Sequence, residues 1–168
     1  TCLTSLANES RGTLKNKMNT SKGSGAVIRI APIGLYHAGD PDRAFDVGVR
    51  SGALTHSAPT AYYAAGAGAA LISCLASGMS FPKSLEQVIH RLNREQGSSE
   101  VVSALEAAMG QASNHPAGKN KPWTHLDSIR SLGDGCMAAE ALSIAVYCVL
   151  ACDDPFDALI TAANHDGN

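Results

Sequence analysis

The sequence predicts an all-α protein, on three observations. Alternation of β-branched and aromatic residues is scarce, aromatics make up only 5% of the chain, and alanine-rich segments recur at helical spacing. A length of 168 residues corresponds to about one domain and is enough to bury a core without staples. With 45% hydrophobic and 17% charged residues and a net charge of −2, the chain reads as globular and near neutral. That balance argues against nucleic acid as a partner. The longest apolar stretch, around residues 61 to 76, is interrupted by glycine and serine and is too short for a membrane span, and the first residues lack the pattern of a signal peptide. Five cysteines, Cys2, Cys74, Cys136, Cys148 and Cys152, contain no CxxC pair, and several lie in apolar runs. This pattern fits small buried hydrophobes in a reducing, cytoplasmic setting.

The elements follow in order. Residues 1 to about 24 are polar and read as loop with one turn near Thr4 to Leu6. A helix is expected from Gly25 to about His37, with Val27, Ile28, Ile30, Ile33 and Leu35 buried on most sides and a kink or restart at Pro32. Asp40-Pro41 supplies an N-cap and a first-turn proline for a helix to about Leu54. Ser57-Ala58-Pro59 opens a helix rich in small residues that stops at Gly78. Ser84 with Gln87 fits a capping box for a helix ending at Gly97, and another runs from Ser99 to about Ala112. The longest irregular stretch is expected from Asn114 to Gly135. The run from Cys136 to Cys152 is apolar nearly all round and reads as the central buried helix. Asp153 or Asp154 then caps a short helix beginning at Pro155.

The chemistry on offer is modest. The KGSG stretch, Lys22 to Gly25, is either a glycine turn that presents backbone N–H groups to an anion or the ordinary start of a helix. It is not a dinucleotide fingerprint, because Ile28 stands at the third glycine position, and it lacks the lysine and hydroxyl of a P-loop. His56 sits at a helix start, where a histidine either faces a cavity or serves as a packing residue. The remaining histidines lack the paired spacing of a zinc site. Arg29 amid aliphatics must find a carboxylate or several carbonyls, and a structural salt bridge is expected before a substrate contact. The acidic clusters at Asp40, Asp42 and Asp46 and at Asp153, Asp154 and Asp157 lie where helix dipoles favour carboxylates, so neither reads as an acid/base pair. The closing NHDGN, Asn164 to Asn168, is either part of a metal loop or a tail.

Four segments together resemble the ADP-ribosylglycohydrolase family, the group that includes dinitrogenase reductase-activating glycohydrolase. They are KGSGAVIRIAPIGL (22–35), LTHSAPTAYYAAGAGAALI (54–72), SLGDGCMAAEALSIAVYC (131–148) and ALITAANHDGN (158–168), in family order and at family-like separations. Each is modest alone and the combination is specific. The resemblance implies an orthogonal helical bundle with a cleft that binds ADP-ribose beside a pair of magnesium ions, and hydrolysis of the glycosidic bond between ADP-ribose and a modified side chain. It implies that Gly23, Ser24 and Gly25 wrap the diphosphate, that His56 lies at the same cleft and that Gly135 borders the ligand. Family members begin earlier, with an acidic Thr-Asp-Asp-type motif, and continue past NHDG into an Asp-x-Asp-Ser/Thr motif; here Asn168 stands where the first of those aspartates is expected. The resemblance therefore assigns no catalytic or metal-binding residue within residues 1 to 168. It implies a single helical domain that is the central and C-terminal part of a longer enzyme, inactive alone. Its expected partners are ADP-ribose or an ADP-ribosylated protein and a complementing chain or second copy. The rivals are an ADP-ribose-binding module without catalysis and a helical interaction domain without a ligand.

Overall fold

A computed structural model describes residues 1–8, 11–114 and 124–167. Among them are nine α-helices: α1 (Cys2–Leu6), α2 (Ala31–Tyr36), α3 (Pro41–Ala53), α4 (Pro59–Ala76), α5 (Phe81–Leu92), α6 (Ser99–Asn114), α7 (Leu126–Leu132), α8 (Ala138–Ala151) and α9 (Pro155–Ala163). A 3-10 turn spans Ser24–Ala26, and the β pairing among the described residues is one antiparallel bridge between Gly23 and Met137. No described helix is long and apolar enough to cross a membrane.

The core is organised around α4. Ala61, Ala64, Ala65, Ala67, Ala69 and Ala70 are all buried, on several sides of the helix. Small side chains let α2, α3, α5, α6 and α8 all approach it. At the α3 crossing, a Cβ on Gly48 would lie 2.9 Å from the Ala65 carbonyl oxygen and the Gly66 Cα. On the facing side, a Cβ on Gly66 would meet Val49 and the Phe45 carbonyl. The two helices pack backbone to backbone because both carry glycine where they cross. Arg91 of α5 strengthens this corner, its guanidinium 4.2 Å from the centroid of the Phe45 ring and paired with Asp42, Asp46 and Glu95.

Several expectations are corrected. The central helix is α4 and not the 136–152 run, because α8 leaves Val149 and the adjoining Met137 more than two-fifths exposed while α4 is enclosed. The expected helix from Gly25 is broken into the 3-10 turn and α2, with the restart at Ala31 and Pro32 inside the first turn, where its missing N–H costs nothing. Its burial is also less complete than expected: Ile30 is buried and Val27 and Ile33 pack on the core, but Ile28 is 80% exposed and Leu35 and Tyr36 are exposed, so within α2 it is Ile33 and Gly34 that cover α4. Helix α5 begins at Phe81, ahead of the Ser84 capping box; Ser84 is buried and its hydroxyl donates to the Ser80 carbonyl instead. The stretch expected to be irregular contains α7, and residues 115–123 of it lie outside the described residues. The turn near Thr4 is the five-residue α1.

Other boundaries agree. The Asp40 carboxylate accepts from the Arg43 N–H at 3.1 Å, and Asp154, of the two candidates, caps α9 through the Phe156 N–H at 2.7 Å. All five cysteines are free thiols, and burial pushes Cys148 up to about 12, which suits a packing role.

The crossing of α3 and α4 yields a stability prediction. Gly48→Val is expected to destabilise the fold by roughly 1–3 kcal/mol, because the added atoms meet backbone. Gly110→Ala, in α6 with nothing within 4 Å of its Cβ position, is expected to stabilise it by roughly 0.4–1 kcal/mol. Urea denaturation followed by circular dichroism reads both; a neutral Gly48→Val would contradict this packing.

Candidate functional site

The residues singled out by the glycine motif come together in the structure. The Ser24 N–H donates to the Cys136 carbonyl at 2.9 Å and the Ala138 N–H donates to the Lys22 carbonyl at 2.8 Å. These two bonds flank the Gly23–Met137 bridge and place the KGSG turn beside the Gly133-Asp134-Gly135 loop. That loop is bent by glycines at positive φ, +122° at Gly133 and +84° at Gly135. Gly135 is buried, and the Asp134 carboxylate accepts from the Cys136 N–H at 2.8 Å. This bond holds the Asp134 carboxyl below its ordinary 3.8.

His56 lies beneath the turn. It follows α3, where Thr55 and His56 close the helix with N–H bonds to the Gly52 carbonyl, and it is 2% exposed. A Cβ on Gly23 would sit 3.4 Å from His56 Nε2, and one on Gly25 would sit 3.2 Å from His56 Cε1 and 2.9 Å from Cys2 Sγ. Glycine at position 25 therefore lets the turn rest on the imidazole and the thiol. Nδ1 of the same ring is 2.8 Å from Thr55 Oγ1, which accepts from Arg29 at 2.6 Å. Arg29 also donates to the Ser51 carbonyl at 2.8 Å and toward Cys2 Sγ at 3.5 Å. The expected salt bridge of Arg29 is thus replaced by neutral acceptors, because the guanidinium reaches the carbonyl at the end of α3 and not a carboxylate.

The amides of the turn are partly committed. Gly23 N–H donates to Ser21 Oγ at 3.3 Å and Ser24 N–H is taken by Cys136, so an anion cannot collect all three glycine-loop amides without displacing bonds within the protein. Lys22 Nζ pairs with Glu100 at 2.8 Å, and Glu100 also accepts from Thr60 Oγ1 at 2.5 Å. The Lys22 and Thr60 bonds hold the Glu100 carboxyl below its ordinary 4.5. Both partners of the ion pair are about half exposed, so it contributes roughly 0–1 kcal/mol and leaves Lys22 available to another anion.

Asn19, Thr55 and Glu100 are residues of this site that sequence reasoning left unassigned. Asn19 clamps four groups: its Nδ2 donates to the Thr55 carbonyl at 2.9 Å and Ser5 Oγ at 3.1 Å, and its Oδ1 accepts from the Ser57 N–H at 3.2 Å and the Ser21 N–H at 3.0 Å. Nothing in local spacing marks such a long-range hub. A polar cavity of about 310 Å³, lined by Thr1, Thr4, Ser5, Asn8, Met18 and Asn19, adjoins the clamp.

At the other edge of the GDG loop, a Cβ on Gly167 would lie 2.5 Å from the Asp134 carbonyl oxygen, and Asp166 pairs with Arg130 of α7 at 2.8 Å. The NHDG stretch is therefore packed against the site, while Asn168 lies outside the described residues. Among the described residues no group of three or more His, Cys, Asp or Glu side chains is arranged to hold a metal ion, so they do not by themselves fit a magnesium site.

The buried imidazole has a consequence for stability. Burial lowers the proton affinity of His56 from its ordinary 6.5, and Arg29 and the N-terminal ammonium repel the added charge. Stability contributed by the neutral ring is complete above 6.5 and is lost as pH falls toward the folded-state value, where the unfolded chain binds the proton more readily. Thermal melts between about pH 8 and 5 should show this loss, and His56→Gln should flatten the slope just below 6.5; an unchanged slope would contradict a buried neutral His56.

Searches against curated proteins and against solved structures gave no match. A family model described as ADP-ribosylglycohydrolase matches residues 1–168, the whole chain, and the all-α architecture agrees with that family's helical fold. The chain therefore belongs to the ADP-ribosylglycohydrolase family.

Proposed function

We propose that this chain binds ADP-ribose through the Lys22–Gly25 turn and belongs to a hydrolase that cleaves the bond between ADP-ribose and a modified side chain. The family match over the full chain supports the substrate class. The observation that carries the site is the joining of the glycine turn to the GDG loop by the Ser24–Cys136 and Ala138–Lys22 bonds. A glycine turn offers a diphosphate close backbone approach, and Lys22 at its edge supplies a positive charge that can exchange Glu100 for phosphate. The hydroxyls and amides of the adjoining cavity suit a ribose.

Hydrolysis places an oxocarbenium-like charge on the ribose as the glycosidic bond breaks, and bound magnesium would supply Lewis-acid chemistry there. The described residues do not assemble its ligands, so their part in this reading is to bind and orient the nucleotide. His56 takes part as the platform of the turn, and Gly135 shapes the neighbouring loop.

Calorimetric titration of ADP-ribose with and without magnesium tests the reading, together with release of ADP-ribose from an ADP-ribosylated protein. Binding is expected, and Ser24→Trp is expected to weaken it by about tenfold or more, or ~1.4 kcal/mol. Binding that is unaffected by Ser24→Trp, or no binding, would overturn it. Binding without release under any magnesium condition would assign the chain to a non-catalytic ADP-ribose-binding module.

A further inference from the structure

We propose that Arg29 and Thr55 are positioning residues for the glycine turn, holding His56 as the tautomer with its proton on Nε2 and so fixing the platform on which Gly23 and Gly25 rest. This inference rests on the reading of that turn as the ADP-ribose contact.

The direction of the relay follows from the donor and acceptor capacity of each group. A guanidinium only donates, so in the 2.6 Å contact with Arg29 the Thr55 hydroxyl oxygen is the acceptor. A hydroxyl that accepts from a cation becomes a stronger donor, and the next atom along the chain is His56 Nδ1, 2.8 Å from Thr55 Oγ1. The hydroxyl proton is spent on Nδ1, which makes Nδ1 the bare nitrogen and places the ring proton on Nε2. That edge of the ring faces Gly23.

Arg29 is fixed in its turn by the Ser51 carbonyl and by Cys2 Sγ, so the relay connects α3, the turn after the 3-10 segment and the first residues of the chain. The charged groups that face the imidazole are Arg29 and the N-terminal ammonium, with the Cys2 thiol beside Gly25; both cations oppose a second ring proton and support the neutral ring. A buried ring bonded at one nitrogen is restrained from rotating, and the turn seated over it keeps its shape.

The test separates the relay from the function. Long-range nitrogen–proton NMR of the ligand-free protein should show His56 with Nδ1 bare and Nε2 protonated. Thr55→Val, which keeps the shape and removes the hydroxyl, should mix the tautomers and lower hydrogen-exchange protection of the Ser24 and Ala138 amides by about tenfold relative to the α4 amides. Thr55→Ser should restore both. Both bonds leave one guanidinium nitrogen, Nη2, so Arg29→Lys, whose shorter stem draws its nitrogen back and which lacks the Nη1 contact with Cys2 Sγ, should fall between, and it carries the test if Thr55→Val does not fold. A parent protein with Nδ1 protonated, or unchanged protection in Thr55→Val and Arg29→Lys, would overturn the relay.

ADP-ribose titration of the same proteins should weaken by about tenfold in Thr55→Val and recover in Thr55→Ser. If the parent shows no binding while tautomer and exchange behave as stated, the functional reading fails and the relay stands. If the parent binds and Thr55→Val changes neither exchange nor affinity, the relay fails and the functional reading stands.

Discussion

The bond from the Ser24 N–H to the Cys136 carbonyl, with its companion from the Ala138 N–H to the Lys22 carbonyl, is the constraint on which the site depends. It ties a turn near the start of the chain to a loop near its end, and all else around it serves to present those two backbones to one another. Helix α8 begins at Ala138, directly after the bridge, so the bridge also sets where that helix starts to coil. Closing so long a loop carries an entropic penalty that two hydrogen bonds do not offset; the packing of α8 on α4 and α6 must do so. The site is therefore stable only as far as the helical core is.

The turn is gripped from below as well. His56 is a buried polar residue in contact with glycines because a side chain at 25 would collide with it and with Cys2. A buried imidazole without a partner would be costly, and the Thr55 hydroxyl supplies the partner while Asn19 secures the carbonyl of Thr55 itself. The polar residues under the turn form one connected set. Such a set specifies a single geometry better than an apolar layer does, at the cost of sensitivity to the loss of any member.

Helix type and most boundaries were legible in the sequence because they rest on local rules. Asp40-Pro41, Asp154-Pro155 and Gly78 act within one turn of their own positions, and the structure follows them. The centre of the core was not legible, since mean apolarity favours the 136–152 run whereas enclosure depends on the small residues of α4 that admit neighbours on several sides. The same holds for Ile28 and Leu35, whose exposure is a matter of how a short restarted helix lies on α4. Within the site, the motifs brought Gly23, Ser24, Gly25, His56 and Gly135 to attention, and the structure brings them into one neighbourhood. The roles of Asn19, Thr55 and Glu100 depend on partners tens of residues away and carry no local signature. The partial commitment of the turn's amides was likewise invisible, because it is a property of the bridge and not of the KGSG spacing.

The central claim is that the bridged glycine turn is the surface that meets ADP-ribose. Mapping backbone amide chemical shifts while ADP-ribose is added tests it most directly. The account predicts that the largest changes fall on Gly23, Ser24, Gly25 and the Gly133–Cys136 loop. Changes confined to another part of the surface, such as the groove between α8 and α9, with the turn unmoved, would contradict it.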